Sequence, residues 1–141
     1  MKANIQYQKR FIDVPLGYQC PLCQDSCLDR EDDKFKWNIL FDGPVCLSCD
    51  YYIFALIADD RRIDDPIMDD LEEITGLSFH ECQVLMLPLE IRLIEESLIK
   101  KREEALISPE TSKCQEEIVE YERRIWLFRG YLRKAKIHLR R

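Results

Sequence analysis

Two Cys-x-x-Cys pairs, Cys20-Pro21-Leu22-Cys23 and Cys46-Leu47-Ser48-Cys49, are separated by the 22 residues from Gln24 to Val45. A turn of this kind lets two thiolates point at one centre, and a second pair completes a tetrahedral shell of four sulfur atoms. We therefore predict that Cys20, Cys23, Cys46 and Cys49 bind a structural Zn²⁺ ion. An iron–sulfur cluster uses the same ligands, and redox-active pairs or unpaired thiols are the alternatives without a metal.

The residues around and between the two pairs predict turns, a strand and a helix. Val14-Pro15-Leu16-Gly17 and Asp42-Gly43-Pro44 are predicted turns, and residues 30–33 form a polar turn between them. Residues 50–58 are apolar nearly all round and predict a helix over about residues 47–60 that begins at the second pair, where backbone N–H groups favour thiolates. The strand pattern is an alternation of apolar with polar residues, at Phe35, Trp37, Ile39 and Phe41.

This order of elements, a cysteine turn, a strand pair and a helix carrying the second pair, resembles the treble-clef group of zinc fingers over about residues 16–60. The resemblance implies a fold and a closed zinc site, and because the group is functionally diverse it does not imply one function. A zinc-dependent nuclease built on this fold needs histidines near the finger, and residues 16–60 contain none. We therefore expect no enzymatic activity.

Helices are predicted for the rest of the chain. Asp65-Pro66 starts a short helix that Gly76 ends, with Ile67, Leu71 and Ile74 on one face. Residues 78–81 fit a capping box that starts the next helix, and Pro88 is expected to kink that helix or begin a new segment.

The last two helices carry apolar residues spaced alternately by four and three. The final helix, about 30 residues or roughly 45 Å long, looks longer than the one before it. An antiparallel helical hairpin is predicted, although an intermolecular coiled coil produces the same periodicity. The apolar positions are Leu87, Ile91, Ile94, Leu98 and Ala105, then Cys114, Ile118, Tyr121, Ile125, Phe128, Leu132, Ala135 and Leu139.

The predicted fold class is mainly α with a small β zinc module. A zinc-binding module in residues 1–63, which contains the treble-clef-like finger, is followed by a helical bundle in residues 64–141 that ends in the antiparallel hairpin. No apolar run approaches the roughly 20 residues needed to cross a bilayer, and the first ten residues lack the apolar core of a signal peptide. Seven cysteines, an odd number, fit cytosolic thiols better than a disulfide framework.

Charge is distributed unevenly along a chain whose net charge is −6. Residues 25–90 carry 17 acidic and 5 basic side chains, whereas residues 123–141 carry 8 basic and no acidic ones. Cations mixed with aromatic residues suit phosphate contacts and base stacking, and they also suit docking on a protein or pairing with Glu90, Glu95 and Glu96 of the preceding helix. The candidate contact residues are Arg123, Arg124, Trp126, Arg129, Tyr131, Arg133, Lys134 and Lys136.

The resulting functional hypothesis is a cytoplasmic, non-enzymatic adaptor or regulator, stabilised by zinc, that acts through protein–protein contacts. An acidic protein of this size also fits an inhibitor of a basic protein. The alternative is a nucleic-acid-binding regulator that uses the basic C-terminal helix. A homodimer through the helical hairpin is compatible with the first hypothesis, and no membrane partner is expected.

Overall fold

The structure, a computed structural model of the 141-residue chain, describes residues 11–24, 26, 34–59, 63–107 and 111–140. The predicted polar turn at residues 30–33 and the thiol of Cys27 lie outside these residues. The described elements are β1 (Phe11–Ile12), β2 (Phe35–Asn38), β3 (Gly43–Cys46), α1 (Leu47–Ile57), α2 (Pro66–Thr75), α3 (Phe79–Ile107) and α4 (Thr111–Arg140).

The three strands form one antiparallel sheet in the order β1-β2-β3. The predicted strand over residues 35–41 was too long, because β2 ends at Asn38 and residues 39–42 form the turn. The side-chain oxygen of Asn38 accepts a hydrogen bond of 2.9 Å from the backbone N–H of Leu40. This bond gives the backbone a partner in place of the neighbouring strand. Gly43 and Pro44, predicted in the turn, belong to β3.

Helix α1 begins directly after β3, as the sequence predicted, with Cys46 as its N-cap. It ends at Ile57, before the predicted end at residue 60, which lies outside the described residues. Its buried side chains, among them Ile53 and Leu56, face the helices that follow.

Helix α2 has both predicted caps. The carboxylate of Asp65 accepts a hydrogen bond of 3.0 Å from the N–H of Ile67, and Gly76 adopts the left-handed conformation with φ 75°. The predicted inward face was partly wrong, since Ile74 is 46% exposed while Met68 and Leu71 are buried. These two residues are three apart, and they define the stripe that packs on the core.

Helix α3 starts with the predicted capping box, in which Ser78 and Glu81 exchange hydrogen bonds of 3.0 and 3.2 Å. It then runs through Pro88 as one helix, so of the two predicted alternatives the new segment is excluded and the kink stays a prediction. Proline removes one backbone hydrogen bond, and the burial of Leu87 and Ile91 on either side of it favours the continuous helix.

Helices α3 and α4 pack along each other in opposite directions. Ion pairs cross between them in reverse order, since Arg129 pairs with Glu95 and the earlier Glu122 pairs with the later Arg102. The two helices have 29 and 30 residues, so the last helix, predicted to be the longer, exceeds the other by one residue only. The lengths are nearly equal because α3 continues through Pro88.

Two clusters of buried side chains hold the described residues together. The larger one joins all four helices and Leu40 of the β2–β3 turn. Most of the predicted apolar positions of α3 and α4 belong to it, whereas Leu139 is 43% exposed because it lies opposite the very start of α3. The larger cluster includes residues on both sides of the predicted boundary between residues 63 and 64, and that boundary stays a prediction. In the described part of the chain, no helix is long and apolar enough to cross a membrane.

Candidate metal centre

The four sulfur atoms of Cys20, Cys23, Cys46 and Cys49 all lie within 4.8 Å of one another. The first pair occupies the turn after β1, and the second spans the end of β3 and the first turn of α1. The predicted ligands are therefore brought together from two places 26 residues apart, Cys20 and Cys46.

A tight turn presents the first pair. The N–H of Gln24 donates a hydrogen bond of 2.8 Å to the carbonyl of Cys20, and Gln24 itself has φ 65°. Residues with a positive φ reverse the chain sharply, which directs the side chains of Cys20 and Cys23 to the same side. An isolated bridge between Gln19 and Ser26 closes the base of the turn.

Backbone N–H groups donate hydrogen bonds to two of the sulfur atoms, those of Cys46 and Cys20. The Cys49 N–H donates to the Cys46 sulfur at 3.4 Å, as an N-cap side chain accepts from the third helical residue. The Cys46 N–H donates to the Cys20 sulfur, also at 3.4 Å. Such donors stabilise thiolates, and the helix N-terminus adds a favourable dipole.

The thiols of Cys20 and Cys49 differ in pKa because their surroundings differ. Burial raises the pKa of Cys20, but hydrogen bonds from the backbone of Cys23, Cys46 and Leu22 outweigh it and leave that pKa below its ordinary value. Burial, followed by hydrogen bonds with the Cys46 and Cys23 side chains, raises the pKa of Cys49 far above its ordinary value. A bound cation is the charge that allows all four groups to be thiolates together.

One sulfur–sulfur distance matches an edge of a tetrahedral zinc site, and all the others lie within 4.8 Å. The sulfur atoms of Cys23 and Cys46 are 3.7 Å apart. Zinc–sulfur bonds of about 2.3 Å in a regular tetrahedron give a sulfur–sulfur edge of about 3.8 Å. The donor set is therefore of the right kind and size for a metal that prefers thiolates.

A small apolar cluster supports the centre from within. It contains Val14, Phe35 and Val45 together with the buried Cys20 and Cys49. Cys23, by contrast, is exposed, so the centre lies at the surface with one edge towards solvent. A site with a rigid apolar base and a single exposed ligand suits a metal with a structural role.

Two polar contacts link β2 to α1, the helix that carries Cys49. The amide nitrogen of the buried Asn38 donates to the carboxylate of Asp50 at 3.2 Å. Lys36 lies 3.8 Å from the same carboxylate. Asp50 occupies the first turn of α1, where a negative charge also favours the helix.

The predicted contact residues of α4 do not lie together at this centre, and they divide among several surroundings. Arg123 and Arg124 pair with Glu120 on their own helix, and the ring of Tyr131 packs 6.4 Å from that of Phe128. Arg133, Lys134 and Lys136 are exposed near the end of α4.

Trp126 and Arg129 share a different environment, an open groove between α3 and α4. The side chain of Trp126 is 74% exposed, and Arg129 pairs with Glu95 at 2.6 Å. Of the three glutamates expected to pair with the basic flank, Glu95 is thus shown to do so. The groove has a volume of about 440 Å³ and is lined by α3 and α4 alone.

One contact was missed in the sequence: the rings of His80 and His138 lie 4.0 Å apart. The Nδ1 of His80 is 3.2 Å from the side-chain oxygen of the buried Gln83, whose nitrogen donates to the last carbonyl of α1, that of Ile57. The two histidines are far apart in sequence, and only the register of the antiparallel helices could have predicted the contact.

Comparison of the chain with protein-family models, with curated proteins and with solved structures matches it to none of them.

Proposed function

We propose that this is a non-enzymatic, zinc-stabilised binding protein of the cytoplasm, an adaptor or regulator that acts through protein–protein contacts. The single observation that carries the proposal is the exposure of Trp126, at 74% of its surface, on a helix pair whose other side packs against the rest of the chain. Large aromatic side chains supply much of the energy of protein interfaces.

The metal in this proposal is Zn²⁺, held by Cys20, Cys23, Cys46 and Cys49 in a treble-clef-like arrangement. The support is the all-sulfur donor set, the 3.7 Å sulfur–sulfur distance and the helix that starts at Cys46. When bound, the ion cross-links the first turn, β3 and α1. Because four sulfur ligands complete a tetrahedron, they leave no place for a substrate, which favours a structural ion.

The proposed contact surface is the groove around Trp126. Its walls combine the apolar Ile99 and Trp126 with the charged Arg102, Glu122 and Arg129. An apolar centre with a charged rim is the usual composition of a protein–protein interface. The two arginines that line the groove pair with two glutamates that also line it, so the groove carries no net positive charge to attract phosphates.

The test is site-specific photo-crosslinking in cells that produce the protein. A photoreactive phenylalanine analogue replaces Trp126 in one variant and Tyr51, which is 71% exposed on α1, in a matched control. We expect a discrete protein adduct from position 126 and none of comparable yield from position 51. Equal, diffuse labelling at both positions would show that the groove has no specific protein partner.

A nucleic-acid-binding regulator is the second candidate, and the observation in its favour is the run of exposed cations near the end of α4. Arg133, Lys134, Lys136 and Arg140 lie on the last turns of the helix. Fluorescence anisotropy against short DNA and RNA at two salt concentrations tests it. Binding that falls steeply with salt, and that is lost in the variant R133E/K136E, would favour this function over the first.

A further inference from the structure

Helices α3 and α4 carry the same short pattern of charge and apolar residues. In each helix an acidic residue is followed four residues later by a large apolar residue and seven residues later by an arginine. These spacings place all three residues on one face of a helix. The residues are Glu95, Ile99 and Arg102 in α3, and Glu122, Trp126 and Arg129 in α4.

The antiparallel packing sets the two patterns head to tail on a shared surface, which we call the paired face and define by these six residues. Arg129 and Glu95 are 2.6 Å apart at one end, and Arg102 and Glu122 are 2.9 Å apart at the other. Acid and base therefore alternate around the four corners of the paired face. All four side chains remain between 43% and 59% exposed, so each can take a second partner.

The centre of the paired face is apolar and open. Trp126 is 74% and Ile99 56% exposed, and the buried Leu98 and Ile125 form the floor between them. Exposed apolar side chains that adjoin one another in a groove mark an interaction site more often than isolated ones do. The apolar centre supplies area to bury, and the four charged residues at the corners determine which partner is complementary.

From this geometry we propose that the partner of the paired face is a second copy of this chain. A twofold axis lying in the plane of the face, either along the helices or across them, places Glu95 and Glu122 of each copy against arginines of the other. In both orientations each of the four charged residues meets a residue of opposite charge, because the alternating pattern is complementary to a second copy of itself. A twofold contact uses the same patch on both copies, and this patch is its own complement.

The surface available is large enough to extend the contact beyond the corners. Leu106 is 86% exposed and lies one turn beyond Arg102, in a groove that it shares with Ile99 and Arg102. Val119, seven residues before Trp126, lies on the same face of α4 and is 61% exposed. A stable dimer buries about 800 Å² on each copy, and these residues lengthen the apolar strip towards that area.

The proposal rests on the protein-binding function above and names the partner, so its test must separate the two. Sedimentation of the full zinc-loaded chain over a range of concentrations measures the dimer directly. The variant R102E/R129E makes all four corners acidic, and E95R/E122R makes them all basic. We expect each variant alone to be monomeric and an equimolar mixture of the two to form a heterodimer.

Each variant must keep its helical circular dichroism and its zinc, which is expected because exposed ion pairs contribute only about 0.2–1 kcal/mol. A wild-type chain that stays monomeric at every concentration would overturn the proposal, as would mixed variants that fail to associate. Replacement of Trp126 by alanine should weaken the dimer at least tenfold, whereas the matched replacement of Tyr51 should leave it unchanged. A monomer that still crosslinks another protein from position 126 would refute the dimer and leave the binding function standing.

Discussion

The buried side-chain amide of Asn38 donates a hydrogen bond of 3.2 Å to the carboxylate of Asp50. Its oxygen accepts from the N–H of Leu40 at 2.9 Å, so one side chain both ends β2 and ties the hairpin to α1. These contacts lie next to the metal centre, since β3, which pairs with β2, carries Cys46 and α1 carries Cys49.

Replacement of Asn38 by alanine should lower the free energy of unfolding of the zinc-loaded protein by about 1–3 kcal/mol, because it leaves buried polar groups without partners. Chemical denaturation measures the effect. Replacement of the exposed Ser112 by alanine is the control and should change the value by less than about 0.5 kcal/mol. A similar small change for both variants would show that the amide contributes nothing to stability.

Replacement of Cys46 by serine should abolish binding of zinc, which the wild type should hold at one ion per chain. Serine is itself a good N-cap, so the start of α1 is preserved and the loss reports on the missing sulfur ligand. Metal analysis after dialysis is the measurement. The matched variant Cys114→Ser, in a buried position remote from the centre, should keep its zinc even if it is less stable. Equal zinc content in both variants would refute the ligand assignment.

Cys82 should resist alkylation in the folded protein. Burial, aided by the charges of Glu81 and Glu72, raises the pKa of the Cys82 thiol to about 12. At pH 8 only about one molecule in 10⁴ then carries the reactive thiolate. Peptide mapping after brief treatment with iodoacetamide should find Cys82 unmodified in buffer and modified in urea. Modification at equal rates in both conditions would contradict its burial.

Two glycines should respond to alanine in opposite directions. Gly76 ends α2 with φ 75°, a conformation that costs alanine about 1 kcal/mol. Gly130 lies within α4, and a methyl group there meets nothing within 4 Å. Alanine at Gly130 should therefore stabilise the protein by up to about 1 kcal/mol. Thermal unfolding of the two variants measures both effects. A melting temperature that stays the same or rises in Gly76→Ala would contradict the cap, and one that falls in Gly130→Ala would contradict the gain expected there.

The features that the sequence predicted well depend on interactions between residues that are a few positions apart in the chain. The cysteine pairs, the Asp65 and Gly76 caps and the capping box at Ser78 are all local signals, and each has the expected geometry. The start of α1 at the second pair follows from the same kind of evidence.

What the sequence did not predict depends on contacts between distant segments. The end of β2 is set by a side chain that bonds to the backbone in place of the ladder. The continuity of α3 through Pro88 opposes local preference and follows from packing on both sides of the proline. The contact of His80 with His138 needs the register of two helices, which periodicity alone does not give.

Leu22, which lies between the first two cysteines, packs against both buried clusters, and Phe41 does the same. A side chain shared in this way makes the metal centre and the helices one cooperative unit. Removal of the ion by a chelator should therefore lower the melting temperature of α3 and α4, although neither helix supplies a ligand. In this protein, the supply of metal would then govern the lifetime of a helical surface that supplies none of the metal's ligands.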